Sequence, residues 1–504
     1  MEILGLVDVP LSLLLCLAAT VLIYIYGTWN YNYFKKQGIP GPQPTCCIGN
    51  TGPNLGHDLY AWSKRYGTVF GIFLGRTPAY IIADLEILKE VMVKSFDNFR
   101  NHRIFSVPYP LNLGVGFMED AAWKRVRNTV SPTFTAVKLR RICGAINDCA
   151  RTLTANFSKV MQKNAGVNVK ACFGAFSMDV ICQAAFGIKV DSQTDFNHPF
   201  VVHAMSMFRP TKLALAFSVL SAAVPALEPV FSKLGYGIIP RKSVAFFATI
   251  TDEMMKQRRN DKTHHREGTD FLQMMMDASI EEGKDNNNDD GQTVKHSVRH
   301  LSTDEIVAQC ITFFVAGYDT TGTALTFISY NLAKNLDVQE KAYGEIKEML
   351  GNEEPNYENI GKLKYLDNVI SESLRLYPPG FVLDRCVSET TQIKGLTFSK
   401  GQTILIPVMA IHRNPQLYDD PDSFKPERFE DQDKTIAFQS FGFGPRACIG
   451  MRLALVELKV ALVNVLRAVK FNRMPETPEV LTFAQNPTFL QTDKDIILKV
   501  SPRC

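Results

Sequence analysis

The residues best placed to do chemistry are Phe441-Gly442-Phe443-Gly444-Pro445-Arg446-Ala447-Cys448-Ile449-Gly450. A cysteine thiolate that holds a haem iron needs a fixed loop and backbone N–H groups aimed at its sulfur. It also needs small residues that admit the flat porphyrin, and a cation for a propionate. Gly442, Gly444 and Gly450 give the close approach. A helix starting near Ile449 would set its positive end at Cys448 and favour the thiolate. Arg446 is the propionate cation, and Phe441 would lie against the loop. The overlapping Gly442-x-Gly444-x-x-Ala447 also satisfies a relaxed dinucleotide fingerprint. No clear strand leads into it, and Pro445 and Arg446 occupy the tight turn, so that reading fails.

A second group lies on a long apolar segment, 303–335, opened by the capping box Ser302-x-x-Glu305. As a helix it would run roughly 50 Å. Ala316-Gly317-Tyr318-Asp319-Thr320-Thr321 would then sit near the centre of the protein, where polar groups are costly to bury. Glu372-x-x-Arg375, Trp123-x-x-x-Arg127 and Phe424-Lys425-Pro426-Glu427-Arg428-Phe429 add further charges at helical or loop spacings. Trp123 and Arg127, four apart, share a helix face. Each of these alone would pass for a surface ion pair or ordinary core.

Taken in order, these segments resemble the cytochrome P-450 superfamily, over nearly the whole chain. The resemblance implies a mainly α fold with small β-sheets, and haem b (iron protoporphyrin IX) held by Cys448. It implies that Glu372, Arg375 and Arg428 form a buried structural network. Trp123, Arg127, Arg385 and Arg446 would meet the propionates, with His102 and Arg103 as weaker candidates. Ala316 and Gly317 would let the central helix pass close over the haem. Asp319 and Thr320 would be the catalytic acid–alcohol pair that brings protons to the distal oxygen. Substrate contacts would come from Phe105, Phe208, Phe313, Phe381, Val382 and Phe489. The implied reaction is insertion of one atom of O2 into a lipophilic substrate. Electrons would come from NADPH through a separate reductase, with cytochrome b5 as a possible second donor. Lys124, Arg125, Lys138, Arg140 and Arg141 are the candidate docking patch. Ser131-Pro132-Thr133-Phe134-Thr135 and the cysteine loop look most like the microsomal family that oxidises steroids and drugs. A reductase-independent peroxide isomerase of the same fold, or a membrane haem sensor, are the alternatives. The Asp319–Thr320 pair argues against both.

These groups need elements to carry them. Val9 to Phe34 holds no charge and is followed by Lys35 and Lys36, which suits a transmembrane helix with the body on the cytosolic side. Residues 1–34 are therefore read as the anchor and 35–504 as one catalytic domain, at the endoplasmic reticulum membrane in a single pass. Tyr24, Tyr26, Trp29, Tyr31 and Tyr33 form the expected aromatic belt. Gly38-Ile39-Pro40-Gly41-Pro42 marks a stiff break. Strands are expected over 68–74 and 79–82, and helices over 135–163, 240–258, 303–335 and 446–468. Asp285 to Gln292 reads as a surface loop. Leu213 to Leu227 is uncharged but short, and is expected to dip into the membrane surface. Asn156-Phe157-Ser158 is a sequon and hence a topology reporter.

Bulk composition sets few limits. The 504 residues carry 55 Lys+Arg against 51 Asp+Glu, a net charge of +4, too balanced for a nucleic-acid binder. Eleven cysteines at scattered spacings suit reduced thiols facing the cytosol.

Overall fold

The computed structural model describes residues 2–3, 7–8, 11–52, 54–103, 107–163, 165–234, 237–260, 270–280, 301–430, 435–484 and 489–503. Phe105, Thr488 and the Asp285–Gln292 segment lie outside these.

The molecule is mainly helical, with small sheets at its margins. Its axis is the helix Thr303–Lys334. Ser302 caps it by accepting from the Glu305 N–H, and Glu305 reaches back to the Ser302 N–H. Almost all of it is buried, so it is apolar all round as a core helix must be. It packs along Val169–Phe186, which is also apolar on every side and buried over 78% of its length. Gly322 makes that approach possible, since a Cβ there would meet the Gly174 backbone at 3.0 Å. Around this pair lie Ala136–Gln162, Arg241–Asn260, Lys364–Leu376 and Met451–Ala468. The last starts five residues later than the spacing predicts. Gly444–Arg446 forms a tight turn of its own, and Gly450 is the cap.

A four-stranded sheet runs Val69–Leu74, Thr77–Ile82, Thr403–Pro407, Val382–Cys386. The outer pairings are antiparallel and the central one parallel. Pro78 lies within its strand, not in the turn as expected. The neighbouring strand pairs only with Ala79–Ile81, so the missing proline N–H breaks no bond there. A second sheet joins Val469–Asn472, Ile497–Pro502 and Gly166–Asn168.

Leu11–Thr28 is an exposed apolar helix of 18 residues near the N-terminus. The junction after it departs from expectation. Phe34 is buried among Phe73 and Tyr80, and the Tyr31 hydroxyl donates to the Thr45 carbonyl. Tyr31 and Tyr33 therefore belong to the body and not to an aromatic belt, and packing begins before residue 34. The Gly38–Pro42 segment is docked as well, with Pro40 accepting from the Gly71 N–H at 2.9 Å. The sequon is no reporter. Asn156 lies inside Ala136–Gln162 with its amide donating to the Gln193 carbonyl, and Phe157 is fully buried.

Candidate active site

The cysteine loop is built backbone first. The Cys448 N–H donates to the Phe441 carbonyl at 2.8 Å, and Ala447 N–H to Gly444 at 2.9 Å. Gly442 and Gly444 have φ of +70° and +73°, which an L side chain resists. A Cβ at Gly444 would also fall 2.1 Å from the Met92 carbonyl oxygen. Burial pushes the Cys448 thiol up. The Gly450 and Met451 N–H groups and the Arg127 charge pull it down. The side chain nonetheless keeps accessible surface. A group both desolvated and accessible faces an internal space. Ala316 gives the same signal, exposed halfway along the otherwise buried central helix.

Arg127 acts on this thiol, and Arg446 and Arg385 act in turn on one another beside it. Arg127 donates to the Ala447 carbonyl at 2.7 Å, and burial lowers its pKa while the Cys448 charge raises it. Arg446 is pushed down to about 9, first by burial and then by Arg385 and Arg127. Its Nε and both Nη atoms donate to the carbonyls of Arg100, Val115 and Met118, and it lies 4.2 Å over the Trp123 ring. Arg446 thus pins the 100–118 segment to the cysteine loop, which leaves it two N–H groups at most for an anion. Arg385 is 2% exposed. It donates to the Asp384 carbonyl, while its buried Nε has no partner among the described residues. Asp384 offsets part of the repulsion among these desolvated guanidinium groups, and a further anion would suit them. A porphyrin with two propionates and a thiolate-bound iron fits this donor set. His102 and Arg103 meet the neighbouring Asp384. Their ring nitrogen and backbone N–H bind the Asp384 carboxylate at 3.2 and 2.5 Å.

The support lies behind the loop. Arg375 and Glu372, both fully buried, pair through two bonds of 2.7 and 2.8 Å. Arg428 Nε and the Lys425 N–H reach Glu372 Oε1, each at 2.9 Å. Removing one partner from such a network costs roughly 3–5 kcal/mol. His412, which no motif marks, connects this network to the loop. Its Nδ1 is 3.0 Å from the Arg375 carbonyl, and its Nε2 accepts from the Gln439 N–H at 2.8 Å. Nδ1 therefore carries the proton. Burial pushes its pKa down to about 3.

On the central helix, the Thr320 hydroxyl donates to the Ala316 carbonyl at 2.7 Å. Asp319 is turned elsewhere. It is buried and ion-paired with Lys170, which also donates to Thr323. Gly317 departs from expectation, since a Cβ there would meet Ile181 at 3.1 Å. Its smallness serves the packing of two helices, and Ala316 is the residue that faces the internal space.

The aromatic candidates divide. Phe208 meets Phe489 edge-on at 5.0 Å, and Phe489 bridges to Gly380 beside Val382. Phe313 packs instead between Phe134 and Phe271, and Phe381 fills the space over Gly56. Both are core residues. The basic patch is thinner than its sequence suggests, because Arg125 pairs with Glu305 and Arg140 with Glu358.

Comparison with known proteins agrees with this geometry. Residues 39–500 match the family described as cytochrome P450. The chain is 37% identical over 497 residues to cytochrome P450 3A29 of Sus scrofa, covering 96% of this chain and 95% of the relative. It is 38% identical over 494 residues to cytochrome P450 3A41 of Mus musculus, with the same coverage. It is 37% identical over 500 residues to lithocholate 6-beta-hydroxylase of Mesocricetus auratus, again at 96% and 95%. The family implies a haem-thiolate cofactor. The chain belongs to the cytochrome P450 family and is a monooxygenase of that family, similar to its 3A members.

Proposed function

We propose that this chain oxidises steroids or similar lipophilic compounds at a haem held by Cys448, with electrons from NADPH delivered by a separate flavoprotein reductase. The observation that carries the reading is the gathering of Arg127, Arg385 and Arg446 beside an accessible, desolvated thiol. A steroid-sized substrate is supported by the likeness to a lithocholate hydroxylase. We place the catalytic domain in the cytosol, carried on Leu11–Thr28 at the endoplasmic reticulum membrane.

When bound, the haem-thiolate supplies the oxygen activation that inserts one atom of O2 into a C–H bond or a double bond. Cys448 would bind the iron as its thiolate, tempered by the Gly450 and Met451 N–H groups. Arg385, whose Nε has no partner among the described residues, and Arg127 would hold the propionates, and Arg446 fixes the loop between them. Ala316 keeps the central helix low over the reaction space. Thr320 would hold a proton-bearing hydroxyl beside Ala316, and Asp319, the next residue but turned to Lys170, is the acid proposed to restore that proton.

The test is reconstitution of the full-length protein with reductase, NADPH and a panel of sterols and bile acids. Optical shifts of the ferric haem should report binding, and hydroxylated product should follow. Cys448→His should lose the long-wavelength Soret band of the reduced carbon-monoxide complex; an unchanged band excludes Cys448 as the ligand. Glycosylation of an acceptor sequon appended ahead of Met1 should mark a lumenal N-terminus.

A further inference from the structure

We propose that the adjacent thiols Cys46 and Cys47 are an S-acylation site, taking a long-chain fatty acyl group that enters the bilayer beside Leu11–Thr28. The proposal rests on the membrane placement above. Four observations lead to it.

Both sulfurs lie against the last turn of the anchor helix. A Cβ built at Gly27 would meet Cys47 Sγ at 2.5 Å and Cys46 Sγ at 2.6 Å, and the Cys47 N–H donates to the Gly27 carbonyl. The two thiols are 3.7 Å apart and both are partly exposed. Next, this spot is at the height of the membrane boundary. Arg76 lies 3.6 Å over the Tyr26 ring, and Trp29 is 77% exposed, the pairing of aromatics and cations found at lipid headgroups.

The thiols also lie on the same side as a second apolar surface. Gly49, in their turn, abuts the Gly75 carbonyl, and Gly75 abuts the Ala222 carbonyl at the end of Lys212–Ala223. That helix exposes Leu213 and Leu220. The cysteines thus stand between two lipid-facing elements, where an acyl chain would find hydrocarbon directly. Finally, nothing in the active site uses them. Their contacts among the described residues are with the end of the anchor helix, at Ile23 and Gly27, and with each other. Juxtamembrane cysteines are acceptors of this kind.

In the reaction the cysteine sulfur forms a thioester with the acyl carbon. The acyl–sulfur bond of a long-chain acyl-coenzyme A breaks, and coenzyme A leaves as its thiol, carrying the cysteine proton. Nothing is oxidised or reduced.

The experiment labels cells expressing the full chain with alkyne-tagged palmitate. The protein is then isolated from alkaline-washed membranes, with and without neutral hydroxylamine. Label should be incorporated, removed by hydroxylamine, and lost in both the Cys46→Ser/Cys47→Ser and Cys46→Ala/Cys47→Ala variants. Those variants should keep the thiolate carbon-monoxide spectrum, which shows that they fold. Label unchanged in both, or absent from a wild-type chain that remains in the washed membranes, overturns the acylation alone. A wild-type chain missing from the membranes overturns the placement and the acylation with it.

Discussion

Lys170 Nζ lies 2.8 Å from Asp319 Oδ1 and joins Val169–Phe186 to the central helix Thr303–Lys334. The carboxylate is 4% exposed and also lies 3.4 Å from the Gln491 amide. It therefore faces Val169–Phe186, whereas the Thr320 hydroxyl turns back to Ala316. Lys170→Met would leave this buried carboxylate without its cation. The loss should reach roughly 3–5 kcal/mol at most. Lys170→Met/Asp319→Asn should recover much of it. Thermal unfolding of all four proteins measures the coupling; a loss in the double variant equal to the sum of the two single losses would show that the pair is not coupled.

Thr320→Ala should separate oxygen activation from electron uptake. The mutant loses one hydroxyl whose only recorded bond is to its own helix, so haem and substrate binding should be nearly normal. NADPH consumption should continue with reductase present. Product per NADPH should fall while hydrogen peroxide rises. Unaltered coupling with several substrates would make Thr320 plain packing, and loss of haem would make it structural.

His412 should make the protein acid-sensitive. Its folded pKa is about 3 against an ordinary 6.5, so only the unfolded chain takes up its proton between those values. Its contribution is complete above pH 6.5 and is lost as pH falls toward 3, by about 1.4 kcal/mol per unit across that window. His412→Gln should flatten the acid limb of stability against pH, and His412→Leu should also weaken haem retention, since the Gln439 N–H then loses its acceptor. A limb of unchanged steepness would show that other groups set it.

Glu457 should act at the opposite end. It is fully buried on Met451–Ala468, and burial pushes its carboxyl up to about 8, the Ser177 hydroxyl offsetting only part. The folded state then keeps a proton that the unfolded state releases near 4.5. Its stability term is complete below pH 4.5 and is lost as pH rises through 8. Glu457→Gln should therefore gain on the wild type between pH 5 and 8, by about 1.4 kcal/mol per unit. A constant difference across that range would show that Glu457 is ionised throughout.

Much of this was legible in the sequence, because the chemistry is held by short segments. The cysteine loop, Glu372–Arg375 and the capped central helix each carry their signature within ten residues or so. What could not be read was contact across long separations. The Lys170–Asp319 pair joins residues 149 apart, and no spacing rule brings a lysine at a helix start to an acid in another helix. His412 was invisible for a related reason, since its role depends on two backbone groups and not on neighbouring side chains. Gly317, Phe313 and Phe381 show a different limit. Family position predicts which residues are near the site, but which way each points follows from what packs behind it. The same holds for Arg446, whose nitrogens go to three carbonyls that no motif records.

The docking of Phe34 between Phe73 and Tyr80, with Tyr31 tied to Thr45, fixes how the enzyme meets other proteins. A body on a loose tether would tumble and offer any face to a partner in the same bilayer. Here the shaft is seated in the hull, so heading and depth are set together. With Leu11–Thr28 in a bilayer as proposed, a membrane-bound electron donor would approach by two-dimensional diffusion and find the same side at the same height. Much of the orientational search that slows association in free solution is then completed when the chain enters the membrane.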